Sequence, residues 1–360
     1  MPSVQDALRP SKFLDAPADG LFLISASPVP FQNKCSPLRA EKHPPKFPRR
    51  KGRFAMDTIL NPLLPTPHAD PWVFYHEGAY YYCFSEGSSV FVSRSERLSG
   101  IGRAEPVRVY TAPEDTAYSR DYWAPELHRI DGGWVIYVAA DDGQNARHRM
   151  YALAGDGPQS PFRMAGKVST PDDHWAIDGT AFSYRDKRYF VWSGWEGDVD
   201  VSQQLYIAEM ADPFTLRGQR VCLSRPEYAW ECVGFPTVNE GPEALIKDGA
   251  LHLVYSASGS WTDDYCLGML TLQGDDLLNP QHWSKSPQPV FSKAEAANGP
   301  GHCSFTTSPD GSEDWIVYHA IEIPGGGWDG RSVRAQKFTW EDGRPVFGSP
   351  VPLGQEQTMA

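Results

Sequence analysis

Pro71–Ser85 reads PWVFYHEGAYYYCFS: a short apolar strand, a Glu77-Gly78 turn, and a second strand crowded with tyrosine. The same plan returns four times. It is seen in Ala124–Ala140 (APELHRIDGGWVIYVAA), Gly179–Gly194 (GTAFSYRDKRYFVWSG), Pro242–Ser258 (PEALIKDGALHLVYSAS) and Cys303–Ala320 (CSFTTSPDGSEDWIVYHA). Four of the five turns carry the glycine that a tight hairpin needs for positive φ; the third is Arg185-Asp186. Aligned on Tyr82, Tyr137, Trp192, Tyr255 and Tyr318, the second strands are spaced 55, 55, 63 and 63 residues apart. Little helical periodicity lies between them. Hairpins at near-constant spacing in an all-β chain predict a five-bladed β-propeller, each blade a four-stranded sheet that must pack on its neighbours to bury both faces.

Composition bounds the rest. The chain has 360 residues, enough for one large domain. Its net charge is −12, which argues against nucleic acid or an anionic membrane as partner. No run approaches 18 apolar residues, so no membrane span is expected. Residues 1–54 stand apart: ten Lys/Arg against four Asp/Glu, nine prolines, and the aperiodic stretch EKHPPKFPRRKGR at 41–53. They read as a basic, Pro-rich, disordered extension, with the propeller over 55–360. The apolar stretch Leu21–Phe31 is broken by Pro28 and Pro30 and makes a poor signal peptide, which favours the cytosol. The six cysteines are scattered without a CxxC pair, which fits buried thiols and leaves one or two bridges open for a secreted chain.

In a propeller the innermost strands line the central axis, so the residues that open them converge. Here these are Asp70, Trp123, Asp178, Glu240 and His302. Three are acids. Convergent carboxylates suit glycoside hydrolysis, which needs one protonated carboxyl to protonate the leaving oxygen and one ionised carboxylate on the opposite face. A third acid can raise the pKa of the proton donor through like-charge repulsion.

At these residues the sequence resembles glycoside hydrolase family 43. ADPWV, WAPEL, the Asp178 strand opener, NEGP and GPGH follow the family's order from about Asn61 to about Phe347. The stretch 226–245 looks most like its exo-acting α-L-arabinofuranosidase branch. The resemblance implies an inverting mechanism with Asp70 as general base, Glu240 as general acid, and Asp178 orienting Glu240 and raising its pKa. It also implies that Arg334 and Trp123 bind the terminal sugar. His302 would face a structural Ca²⁺ or Na⁺ at the axis through water, and no cofactor enters the chemistry. The implied substrate is an oligosaccharide derived from plant polysaccharide, acted on by a monomer. Such a substrate favours export, against the missing signal peptide. Alternatives are a β-xylosidase or endo-arabinanase of the same family, or a non-catalytic sugar-binding propeller. Trp230-Glu231-Cys232 resembles instead the acid motif of invertase-type propellers, but Arg120-Asp121 is followed by Tyr122 rather than the proline of that group. The stretch 308–315 (SPDGSEDW) approaches a sialidase box and is better read as a hairpin turn.

Overall fold

The computed structural model describes residues 56–295 and 297–360, and the extension expected over 1–54 lies outside them. After β1 (Asp57–Leu60) come twenty strands in five groups of four. Blade one is β2 (Trp72–His76), β3 (Ala79–Glu86), β4 (Ser89–Ser95) and β5 (Val107–Thr111). Blade two is β6 (Arg120–Ile130), β7 (Gly133–Asp141), β8 (Arg149–Gly155) and β9 (Phe162–Val168). Blade three is β10 (Ala176–Tyr184), β11 (Lys187–Trp195), β12 (Ser202–Asp212) and β13 (Thr215–Ser224). Blade four is β14 (Thr237–Lys247), β15 (Ala250–Ala257), β16 (Cys266–Leu272) and β17 (Trp283–Lys285). Blade five is β18 (Asn298–Thr307), β19 (Asp314–Ile321), β20 (Arg331–Glu341) and β21 (Arg344–Val346). Within each blade, consecutive strands pair antiparallel. The last strand, β22 (Glu356–Met359), pairs antiparallel with β1. The fold is the five-bladed propeller that the hairpin spacing predicts.

The turns behave as their residues demand. Glu77-Gly78, Asp131-Gly132 and Asp248-Gly249 all carry positive φ at both central positions, the backbone whose twist matches a two-residue hairpin. The stretch at 308–315 is a longer hairpin loop, closed by Ser308 N–H donating to the Glu313 carbonyl at 2.9 Å.

The hydrophobic interior divides into five clusters, one at each contact between neighbouring blades. Cys83, Val90 and Val92 meet Ile136 and Val138 between blades one and two. Equivalent layers join two to three around Phe190 and Trp192, three to four around Leu253 and Tyr255, and four to five around Phe291 and Tyr318. The ring closes where Val73, Tyr80 and Tyr82 pack on Trp315 and Val317, with Ile59 of β1 and Met359 of β22 in the same cluster. β1 and β22 therefore tie the first and last blades together.

Each inner strand opens with a kink. Asp70, Ala124, Asp178, Gly241 and His302 have φ between 42° and 52°. In blades two to five the ladder slips at this point. Positive φ is uncommon for a residue with a side chain and costs of order 1–3 kcal/mol. Bulges of this kind re-aim side chains and concentrate beside active sites. They also correct the sequence alignment. Two residues past each kink, Trp72, Glu126, Thr180, Glu243 and Ser304 face Cys83, Tyr137, Val191, Val254 and Val317. By that register Trp192, Tyr255 and Tyr318 are equivalent, but Phe84 and Val138 stand where Tyr82 and Tyr137 were expected. Likewise Trp123 and Glu240 precede the kink by one residue, whereas Asp70, Asp178 and His302 sit on it.

Candidate active site

The kinks bring the three acids to one end of the axis. Asp178 is buried, and its Oδ2 accepts the Gly241 N–H at 3.1 Å, which couples β10 to the residue after Glu240. His302 Nδ1 lies 3.3 Å from Asp70 Oδ1 and 3.9 Å from Asp178 Oδ2. Glu240 is buried, and its Oε1 accepts the Tyr265 hydroxyl at 2.8 Å. The Tyr265 ring stacks on His319 with centroids 5.4 Å apart and planes 5° from parallel. His319 Nδ1 in turn accepts the Asp70 N–H at 3.2 Å. A hydrogen bond, a ring stack and a second hydrogen bond thus connect Glu240 to Asp70.

The electrostatics separate the acids. Burial alone would raise the Asp70 pKa, but His302, Arg331 and His319 outweigh it and hold this carboxyl far below the usual range. Asp70 is therefore ionised across the physiological range. Glu240 moves the other way. Burial and the negative Asp70 push it up to about 7, against the opposing Tyr265 hydrogen bond. Burial, then the charges of Glu240 and Asp70, lift Asp178 well above its ordinary value. Two carboxyls held high beside one held low is the arrangement that supplies an acid and a base at one pH. Burial lowers His319 to about 4, so it stays neutral near pH 7.

The cavity beside Asp70 measures about 260 Å³. Tyr82, Phe84, Tyr122 and Trp123 help to line it. Trp123 is 39% exposed and stacks on His148 at 3.9 Å between centroids. Its ring is an open wall of the cavity. A larger hollow of about 420 Å³ lies among β5, Tyr118 and β9 and contains none of the three acids.

Arg334 is a correction. It is completely buried, with Nε 3.4 Å from Ser332 Oγ, and has no surface to offer a sugar. The arginine at the pocket is Arg331, whose Nη1 lies 3.4 Å from Asp70 Oδ1. The ladder explains the difference. Arg331 opens β20 opposite Ile321, at the pocket end of the blade, whereas Arg334 pairs with Tyr318 three residues deeper.

Other polar groups escaped the sequence reading. Tyr265 and His319 lie at the pocket ends of second and third strands, where neither motif nor spacing marks them. Glu126 and Glu243 form a second buried layer below the acids, within hydrogen-bonding reach of one another. His128 Nε2 lies 2.9 Å from Glu126 Oε2. Glu231, the rival acid, is fully buried. It accepts from the backbone N–H groups of Glu227 and Tyr228, from Asn239 Nδ2, from the Tyr255 hydroxyl and from Lys285 Nζ. Its oxygens are saturated by a structural network, which leaves it no part in catalysis.

No group of three or more His, Cys, Asp or Glu among the described residues is placed to hold a metal ion. His302 would be a single imidazole ligand, with its Nδ1 directed at two carboxylates, which is a poor donor set for a hard cation. The five described cysteines, Cys83, Cys222, Cys232, Cys266 and Cys303, are free thiols.

The model of the glycosyl hydrolases family 43 matches residues 59–345, the whole run of blades and the site just described. The chain belongs to glycosyl hydrolase family 43. Among relatives, the family 43 chain is 40% identical over 271 residues to an extracellular exo-α-(1→5)-L-arabinofuranosidase of Streptomyces chartreusis, covering 72% of this chain and 81% of that one. It is 38% identical over 315 residues to the protein of the same name in Streptomyces avermitilis, covering 82% of this chain and 64% of the longer relative. The crystal structure of an α-L-arabinofuranosidase from Lactobacillus brevis superposes with a TM-score of 0.76 at 38% identity, covering 82% of this chain and 98% of that one. This family 43 member is accordingly a glycoside hydrolase.

Proposed function

We propose that this chain is an inverting, exo-acting α-L-arabinofuranosidase that releases terminal arabinofuranosyl units from arabinan-type or arabinosylated oligosaccharides. The observation that carries the reading is the gathering of Asp70, Asp178 and Glu240 from three blades into one electrostatically coupled group beside a small cavity, in a chain whose relatives bear that name. The cavity is at the small end of ligand sites, which suits one terminal sugar better than a run of backbone.

In the proposed mechanism Asp70 accepts a proton from a water molecule as its oxygen bonds to the anomeric carbon. The bond from that carbon to the leaving oxygen breaks, and Glu240 gives its proton to that oxygen. Attack from the face opposite the leaving group inverts an α-arabinofuranoside to the β product. Asp70 then loses its proton to solvent and Glu240 regains one. Asp178 anchors the backbone just after Glu240 by accepting the Gly241 N–H, and so positions the acid. Arg331 and His302 keep Asp70 ionised. Trp123 offers its face to the sugar.

Hydrolysis of methyl α-L-arabinofuranoside and methyl β-D-xylopyranoside by the full chain tests the substrate. Turnover of the arabinoside with little on the xyloside is expected. The reverse preference would replace this reading by a xylosidase.

A further inference from the structure

The loops of blades four and five carry an exposed aromatic surface. Trp328 is 56% exposed, on the loop 322–330 between β19 and β20. Its ring meets the half-buried Trp261 edge to face at 5.7 Å. Phe235, 75% exposed, is held nearby by Gly234, whose backbone lies against the Trp261 ring: a Cβ there would stand 3.0 Å from it. Gly259 is closer still, its Cβ position 2.6 Å from the same ring. Trp261 is thus seated on two glycines, and a larger residue at either would dislodge it.

This surface is wired to the chemistry. Trp328 Nε1 donates to Ser260 Oγ at 3.1 Å, and the Ser260 side chain stands close enough to Glu240 to favour its charged form. Arg331 Nε donates to the Trp328 carbonyl at 3.0 Å while its Nη1 reaches toward Asp70. The loop itself is built rather than loose. Gly325 N–H donates to the Asp263 carboxylate at 2.9 and 3.0 Å, and Glu322 N–H to the Gly330 carbonyl at 2.9 Å. The exposed Trp328, packed on Trp261 near Phe235, makes a contiguous aromatic patch of the kind that marks a binding surface.

The side of the site settles the occupant. The terminal sugar sits by Asp70 and Trp123, in the cavity between blades one and two. The proton donor must stand next to the leaving oxygen, so the leaving group extends past Glu240, over the loops of blades four and five. There it meets Trp328 and Trp261. Pyranose and furanose rings present C–H faces that pack on indole, and their hydroxyls remain in solvent. On this basis, and resting on the function proposed above, we infer that Trp328 and Trp261 form the binding surface for the leaving-group sugars, and so set the preference for oligosaccharide over small aglycones.

The test compares kcat/KM for α-1,5-linked arabinotriose with kcat/KM for methyl α-L-arabinofuranoside. Both have poor leaving groups and need Glu240 equally, but only the first has sugars to stack. In Trp328→Ala the ratio of triose to methyl arabinoside should fall about tenfold, through KM, the size expected for one lost aromatic contact. Trp328→Phe keeps a ring without the N–H and should hold the ratio within about twofold. Circular dichroism checks that both variants are folded. An unchanged ratio in Trp328→Ala overturns the inference. So does an equal fall on both substrates, which would make Trp328 a positioning residue for Glu240 through Ser260. A wild-type chain inactive on both arabinosides would remove the proposed function, and this inference with it.

Discussion

In the proposed mechanism Glu240 must carry a proton when the glycosidic bond breaks, and Asp70 must not. The surroundings of each side chain impose this difference. Asp70→Asn removes the base while preserving shape, and turnover should fall by at least about 10²-fold on every substrate. Glu240→Gln should do the same to methyl arabinoside yet spare aryl arabinosides, whose leaving groups need little protonation. Equal losses on both classes would argue against Glu240 as the acid. The pH dependence follows with a definite sign. Activity requires protonated Glu240, so kcat/KM should fall as pH rises through about 7. The Tyr265 hydroxyl favours the ionised form, so Tyr265→Phe should raise this pKa and move the alkaline limb upward. A limb that moves down, or stays, contradicts the assignment. At this scale the acids were legible because their chemistry is written in residue type and strand position. Tyr265, His319 and Arg331 were not, since a tyrosine, a histidine or an arginine in a strand is ordinary until a neighbour from another blade stands beside it.

The kinked opening of each inner strand is the element that turns spacing into a site. Asp178 shows how tightly it is built. The following residue, Gly179, has no room for a side chain: a Cβ would come within 2.3 Å of the buried Phe190 ring. Gly179→Ala should therefore destabilise the fold by about 1–3 kcal/mol and displace Asp178. Thermal denaturation paired with kcat reads both effects, and a variant as stable and active as wild type would show that the kink is not held by this contact. The sequence conveyed which residues open the strands but not the slip in register, because a bulge adds a residue to one strand without changing its composition. Only the ladder shows that Phe84 and Val138, not Tyr82 and Tyr137, hold the equivalent positions in blades one and two. The same limit explains Arg334 and Arg331, three residues apart on one strand, where only the ladder tells which lies at the pocket end.

Over the whole molecule, five similar hairpins were enough to announce five blades, because a blade cannot bury its faces alone and each repeat implies the next. What the pattern did not announce is the clasp between β1 and β22. These four-residue strands lack the hairpin signature and pair across almost the whole chain. Met359 and Ile59 are fully buried there. Deleting residues 356–360 should lower Tm by roughly 5–10 °C, from the lost burial of one large side chain and the ladder bonds. An unchanged Tm would show that the ring closes without the clasp. The account as a whole rests on an inverting displacement by water held at Asp70. The most direct measurement follows methyl α-L-arabinofuranoside hydrolysis by proton NMR, with the full chain and with Asp70→Asn. The account predicts that β-arabinofuranose appears first, before mutarotation, and that the variant yields almost no product; α-arabinofuranose appearing first, or an Asp70→Asn chain with near-normal rate, would contradict it.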